Sequence, residues 1–329
     1  MKFNITKGKQ KTAIRFCCYG CEGIGKSTFA AQMPDPKFID VEGGTKQLDV
    51  ERLEPEEGTE WSWNLILAMV DAVIENPSMC KTLVIDTADR AEALLTAQLL
   101  QEAGVDSIEK YGGGYGKGYT ALAERFNKDL LMRLDRLIGK GVNVTLIAHA
   151  AMRKLESPDE PPYDRWELKT SKKIAPLIKE WTDILCFMKY EQVVVQENGK
   201  NKAKGKARRI MVFNHRPTCD AKNRFGLEDD QPLSFEPLKA IYEGAVEPVS
   251  DNAILDLANP HEGIVEDDMS EDSRRVLVRM LKQEGVAPGD FGAWLARTDR
   301  PQISALSGTQ VRSMMDNIDV LVKQIKGGE

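Results

Sequence analysis

Gly20-Cys21-Glu22-Gly23-Ile24-Gly25-Lys26-Ser27 sits between the apolar run Ala13–Tyr19 and the helix-spaced Lys26–Met33, which Pro34 ends. The pattern is GxxxxGK[ST] in the setting that gives it meaning, a buried strand turning into a helix. Glycines let the backbone N–H groups wrap a phosphate chain, and the helix start adds the positive end of its dipole. The cradle runs through Gly20, Cys21, Glu22, Gly23, Ile24, Gly25, Lys26, Ser27 and Thr28. Lys26 is placed to reach the β- and γ-phosphates and Ser27 to offer its hydroxyl to Mg²⁺, so ATP with Mg²⁺ is the expected cofactor pair.

Outward from this loop, strand-length apolar runs alternate with helix-period segments as far as about residue 214. Strands are expected at Lys37–Val41, Thr82–Ile85, Val142–Ala148 and Ile184–Tyr190. Helices are expected near Asn64–Asn76, Ala88–Ala103, Ile174–Trp181 and, as one long element, Thr120–Gly139. Such alternation means a mostly parallel sheet covered on both faces, an α/β fold. Gln192–Gln196 and Arg208–Phe213 read as a hairpin extension, about 192–213. The expected organisation is a core over 1–243, an acidic linker over 244–272 with Pro248 and Pro260, and a small helical C-terminal domain over 273–329.

Composition limits the rest. The chain has 329 residues, 42% of them hydrophobic, enough for a core, and a formal net charge of -6, which excludes a uniformly basic coat. Any nucleic-acid contact would have to come from local clusters. Cys18 and Cys21 form a CxxC, but no second pair matches its spacing and the first lies at a strand-to-turn junction, which argues against zinc. Met1–Lys11 is polar and basic and Trp61–Ile74 is broken by Asn64 and Asp71, so a soluble, cytoplasmic protein without membrane contact is expected.

A second carboxylate at the end of a buried strand is needed to hold Mg²⁺, and Leu83-Val84-Ile85-Asp86 supplies it; capping of the next helix is the alternative use of Asp86. Hydrolysis also needs a group to orient water. Thr87 stands where many ATPases carry a Glu, which moves the expectation to Glu42 in Phe38-Ile39-Asp40-Val41-Glu42-Gly43-Gly44, with Asp40 as runner-up. His149, one of three histidines, ends Leu146-Ile147-Ala148-His149.

Together with Tyr115-Gly116-Lys117-Gly118-Tyr119 and Ala221-Lys222-Asn223-Arg224-Phe225-Gly226-Leu227, these segments resemble the RecA-like P-loop ATPases of phages, in particular the Sak-type single-strand annealing recombinases. The resemblance covers roughly Thr12 to Phe235. It implies Glu42 as the water-orienting base and His149 as a sensor of the γ-phosphate. It also implies Lys222 and Arg224 as cations inserted into a neighbour's site, in a homo-oligomer that is a filament or a ring. Lys222 and Arg224 are expected to project together if their segment is extended.

The same resemblance places two loops for DNA contact, and the charge of the hairpin tip adds a third site. A first loop offers Lys110, Tyr111, Tyr115, Lys117 and Tyr119, stacking faces and phosphate partners for single-stranded DNA, with a mobile loop whose tyrosines pack on the next helix as the alternative. A second, Arg153–Lys173, carries Arg153, Lys154, Arg165, Lys169, Lys172 and Lys173 with Tyr163 and Trp166. The hairpin tip adds Lys200, Lys202, Lys204, Lys206, Arg208 and Arg209 without an acidic residue between them. The expected function is an ATP-dependent, single-stranded-DNA-binding recombination and annealing protein. A hexameric helicase or a non-DNA regulatory switch is the alternative, and a single-strand-binding protein is a candidate partner of the C-terminal helices.

Overall fold

The computed structural model describes residues 7, 10–156, 161–191, 193–197, 200–204, 208–244, 277–278, 280–282, 284–297, 311, 314–315 and 318–326. The chain divides into two compact units, Met1–Ser250 and Asp251–Glu329. The acidic segment expected as a linker lies almost wholly outside the described residues.

The first unit is built on a sheet whose parallel strands are β1 (Arg15–Gly20), β2 (Pro36–Asp40), β3 (Glu51–Arg52), β4 (Thr82–Asp86), β5 (Asn143–Leu155) and β7 (Ile184–Tyr190), in the spatial order β7-β1-β5-β4-β2-β3. β6 (Tyr163–Leu168) pairs antiparallel with β5, and β10 (Arg209–Val212) and β11 (Lys222–Asn223) pair antiparallel with β7. β12 (Gln231–Pro232) closes that edge against β10. β8 (Val193–Glu197) and β9 (Lys200–Lys204) form a separate two-stranded ribbon.

The period of two along β1 explains why the run is apolar throughout. Cys17 and Tyr19 face one core, with α2 (Trp63–Glu75), α3 (Ala88–Ala103), α4 (Lys117–Arg125), α5 (Met132–Gly139) and α6 (Ile174–Trp181). Phe16 and Cys18 face another, with α1 (Lys26–Ala30) and α7 (Glu236–Tyr242). A strand buried on both faces cannot alternate with polar residues. The second unit packs α8 (Pro288–Arg297) and α9 (Ile318–Lys326) around Leu281, Phe291, Trp294, Val311, Leu321 and Ile325. Among the described residues no helix is long and apolar enough to cross a membrane.

Three expectations are corrected. The long helix is continuous but contains a π-helical stretch, Phe126–Leu131, that buries Phe126, Leu130 and Leu131. Val142–Ala148 is only the start of β5, which runs on to Leu155 and folds back as β6, so much of the expected second loop is a hydrogen-bonded ribbon. Finally, Val193–Glu197 pairs not with Arg209–Val212 but with Lys200–Lys204, so the basic stretch is itself a strand.

Candidate functional site: the nucleotide-binding loop and its carboxylates

Strand order assembles this site. Because β5 lies between β1 and β4, Gly20 sits level with His149, Ile147 with Asp86, and Asp86 with Asp40. Residues far apart in sequence thus meet at the carboxyl ends of adjacent strands, where α/β sheets bind ligands.

The loop is built as its sequence demands. Gly23 and Gly25 have φ of +73 and +105, in the left-handed region that suits glycine, and a side chain at Gly20 would run into the Met188 carbonyl. The Lys26 ammonium is buried and donates to the carbonyls of Gly20 (3.1 Å) and Cys21 (2.9 Å). The Ser27 hydroxyl donates to Asp86 Oδ2 at 2.5 Å. Burial pushes the Asp86 carboxyl up to about 6 against the pull of that bond, and Asp40 and Glu42 add to the rise. A hydroxyl and a desolvated carboxylate in contact, with surplus negative charge around them, are a hard oxygen donor set suited to Mg²⁺. The cap of α3 is Thr87, whose hydroxyl accepts from Arg90 N–H at 3.3 Å. Asp86 therefore does not serve as the cap. The Asp86–Thr87 peptide is cis.

Glu42 and Asp40 separate cleanly. Asp40 accepts from the backbone N–H groups of Gly43, Gly44 and Thr45 at 2.8, 3.1 and 2.8 Å and from the Thr45 hydroxyl at 2.6 Å. Its oxygens are occupied in holding a turn. Glu42 keeps its carboxylate open, receiving the Thr87 hydroxyl at 3.0 Å and lying 3.8 Å from His149 Nδ1.

His149 lies within β5 rather than at its end, and Asp89 holds it. The backbone N–H of His149 donates to Asp89 Oδ1 and its Nδ1 lies on Oδ2, both at 2.9 Å. The bond to Asp89 raises the imidazole above its ordinary value despite burial. Burial would raise Asp89, but the His149 ring and amide together hold it below the usual carboxylate range. Glu42, Asp89 and His149 bring ligand atoms within 4.8 Å of one another. Sequence reading missed Asp89 and Thr87. Asp89 reads as an ordinary acidic residue in a helix's first turn, and nothing in its spacing points to His149.

Other expected residues are dispersed. Lys222 Nζ donates to the carbonyls of Lys179 (3.0 Å) and Glu180 (2.9 Å), and Arg224 pairs with Asp183 at 3.1 Å. Lys222 is level with Leu185, near the start of β7, so both cations lie toward the opposite end of the sheet from their own chain's phosphate loop. Lys222 lies in a two-residue strand that ends before Arg224, and these partners hold both side chains against the chain itself. In the first loop Lys110 pairs with Asp106 (2.8 Å), Lys117 donates to Gly112 O (3.2 Å) and the Tyr119 hydroxyl donates to Glu109 (2.7 Å). Tyr111 packs partly buried on the core, whereas Tyr115 is 100% exposed. The tract is a 3-10 stretch, Ile108–Gly113, followed by the first turn of α4, where a flexible glycine loop was expected.

On the β5–β6 ribbon, Arg165 is buried against Asp220, which also takes Lys179 at 2.8 Å, and Trp166 stacks on Phe187 with centroids 6.0 Å apart. Arg153 is held by Thr170 O at 2.5 Å and by Glu167 at 3.5 Å. Lys154, Lys172 and Lys173 are exposed. Arg153, Lys154, Lys172 and Lys179 line a groove of about 650 Å³ together with Glu156 and Glu167. Lys200, Lys202 and Lys204 belong to β9, Lys206 lies outside the described residues, and Arg208 faces Glu191 at 3.6 Å. Arg209 is not at a hairpin tip: it reaches the phosphate loop, donating to Ile24 O at 3.2 Å. The described cysteines are all unpaired thiols, and burial pushes Cys18 up to about 12. A cleft of about 1050 Å³ lies at the other end of the sheet, lined by residues such as Thr12, Lys81, Asn143 and Tyr242, and holds none of the loop residues.

Residues 12–225 match the family model described as AAA domain. The crystal structure of the flagellar accessory protein FlaH from Methanocaldococcus jannaschii is similar over 61% of this chain and 78% of that one, at 11% identity and a TM-score of 0.30, too shallow a likeness to support an inference. No curated protein matches the sequence.

Proposed function

The chain belongs to the AAA domain family, and from that premise we propose an ATPase that acts on single-stranded DNA, as a recombination and annealing factor of the Sak-type, RecA-like kind. Lys26 and the loop amides hold the phosphates. Ser27 and Asp86 would hold Mg²⁺, which would supply neutralising charge to the phosphates. Glu42, oriented by Thr87, takes the proton of the attacking water and aligns it. His149, clamped by Asp89 and 3.8 Å from Glu42, would sense the γ-phosphate.

The observation that carries the reading is the course of β5. One strand carries His149 level with Gly20 of the loop and, four and five residues on, Arg153 and Lys154 at a basic groove. A change at His149 has a short rigid path to that groove, which gives ATP state a means of setting the grip on a polyanion. Lys222 and Arg224 serve, in this scheme, a neighbouring protomer of a filament or ring after leaving their partners at Lys179, Glu180 and Asp183. The C-terminal helices are left to recruit a single-strand-binding protein, in a cytoplasmic setting.

The test is ATP hydrolysis with and without single-stranded DNA, alongside electron microscopy with a non-hydrolysable analogue. DNA-stimulated turnover and ordered oligomers on DNA are expected, and Lys172→Glu with Lys173→Glu should remove the stimulation. Turnover and oligomers indifferent to DNA would reject the DNA role and leave an ATP-binding regulatory switch. The bonded-down Lys110, Lys117 and Tyr119 favour that second reading for the first loop.

A further inference from the structure

We infer that Arg209, with Tyr190 and Leu233 beside it, forms the wall that receives the nucleoside end of the bound nucleotide. The inference rests on the reading that ATP occupies the loop ahead of Lys26. The groups suited to the terminal phosphate, Glu42, Asp86 and His149, come from β2, β4 and β5, all on one side of β1. A triphosphate lying along the loop with its γ end toward them must lead its ribose and base out on the other side, over β7 and β10.

Arg209 and Leu233 stand there and touch the loop. Arg209 Nη1 donates to Ile24 O at 3.2 Å, and a methyl group placed on Gly25 would lie 2.7 Å from that nitrogen and 3.4 Å from Leu233 Cδ2. Leu233 is itself fixed to Arg209, its N–H donating to the Arg209 carbonyl at 3.1 Å. Tyr190 is the cross-strand partner of Arg209. It continues the face of β7 that carries Cys186 and Met188, the face α1 covers, and is 37% exposed.

A guanidinium tethered by one N–H keeps a flat cationic face and further donors. That face, an exposed phenol ring and an apolar methyl pair suit an aromatic base and its ribose better than a phosphate chain. The short tether to the loop also explains why Arg209, at the foot of a lysine-rich ribbon, belongs to the nucleotide and not to DNA.

Competition binding on the full chain tests this with two probes, ATP and inorganic tripolyphosphate, which share the phosphates but not the nucleoside. Arg209→Ala is expected to weaken ATP roughly three- to thirty-fold and leave tripolyphosphate unchanged. Arg209→Lys, which keeps charge but loses the plane, should not restore ATP affinity. Tyr190→Ala gives a second, independent reading with the same selectivity. Unchanged ATP affinity in both alanine variants, or equal losses for the two probes, would overturn the assignment. Lys26→Ala should lose both probes; if it kept both, the phosphate-loop reading itself would fail, an outcome distinct from failure at Arg209.

Discussion

Asp89→Asn is the most exacting test of the His149 clamp. Both side chains are 12% exposed, and Asp89 accepts from the His149 ring and amide at 2.9 Å each. Asparagine keeps one carbonyl oxygen for the backbone N–H but turns an amide toward Nδ1, so the imidazolium loses its counter-charge. A hydrogen bond to a charged group is worth about 1.5–3 kcal/mol, and that is the expected loss of stability. The sign with pH follows from the two shifts. Asp89 lies below its ordinary value, so its contribution is present above the unfolded value near ~4 and is lost as pH falls through the folded one. His149 lies above its own, so its contribution is full below ~6.5 and is lost as pH rises through the folded value. The penalty should therefore be largest between about pH 4 and 6.5 and shrink as pH rises through the raised value of the folded imidazole. Urea unfolding of both proteins at about pH 6 and at alkaline pH measures it. A penalty that is equal at both, or below about 0.5 kcal/mol throughout, refutes the ion pair.

Glu42→Gln should lower kcat by roughly 10²–10⁴ with ATP affinity kept, whereas Asp40→Asn should instead cost about 2–4 kcal/mol of stability, because Asp40 holds four turn donors; unfolding midpoints and steady-state kinetics separate them. Asp86→Asn should abolish hydrolysis yet melt higher. The carboxyl is raised from 3.8 to about 6 by burial, so ionising it costs stability as pH rises through that range. The gain, about 2–3 kcal/mol at neutral pH, should vanish near pH 4, as a thermal scan across pH would show. Asp220→Ala leaves buried Arg165 with only the more distant Glu167, at 3.9 Å, and should cost about 3–5 kcal/mol, read by denaturant titration.

Local physics made much of this protein legible. A glycine-rich turn between a doubly buried strand and a helix declares a phosphate cradle, because amide direction and positive φ are properties of a few consecutive residues. The contact of Asp86 with Ser27 was foreseeable for a similar reason, since Asp86 ends an apolar strand beside the loop, whereas Glu42 was singled out only by resemblance. The failures are of another kind. His149 at a strand end, the second loop, the partner of Val193–Glu197 and the place of Arg209 all depended on which strand pairs with which, and a strand's own residues do not name its neighbour. Tyr111, Lys117 and Tyr119 were read as available, although packing on the core and bonds to Gly112 and Glu109 hold them.

The sequence by itself determined that there is a phosphate loop, a carboxylate to stand opposite it and an α/β core. Tertiary structure alone decided that Asp89 grips His149 across 60 positions, that Asp40 is spent on a turn while Glu42 is not, and that Arg209 belongs to the loop. The reason is the insertion of β5 between β1 and β4: long-range strand order sets which side chains share a few ångströms, and that order is fixed by burial of whole faces, not by any short run of residues.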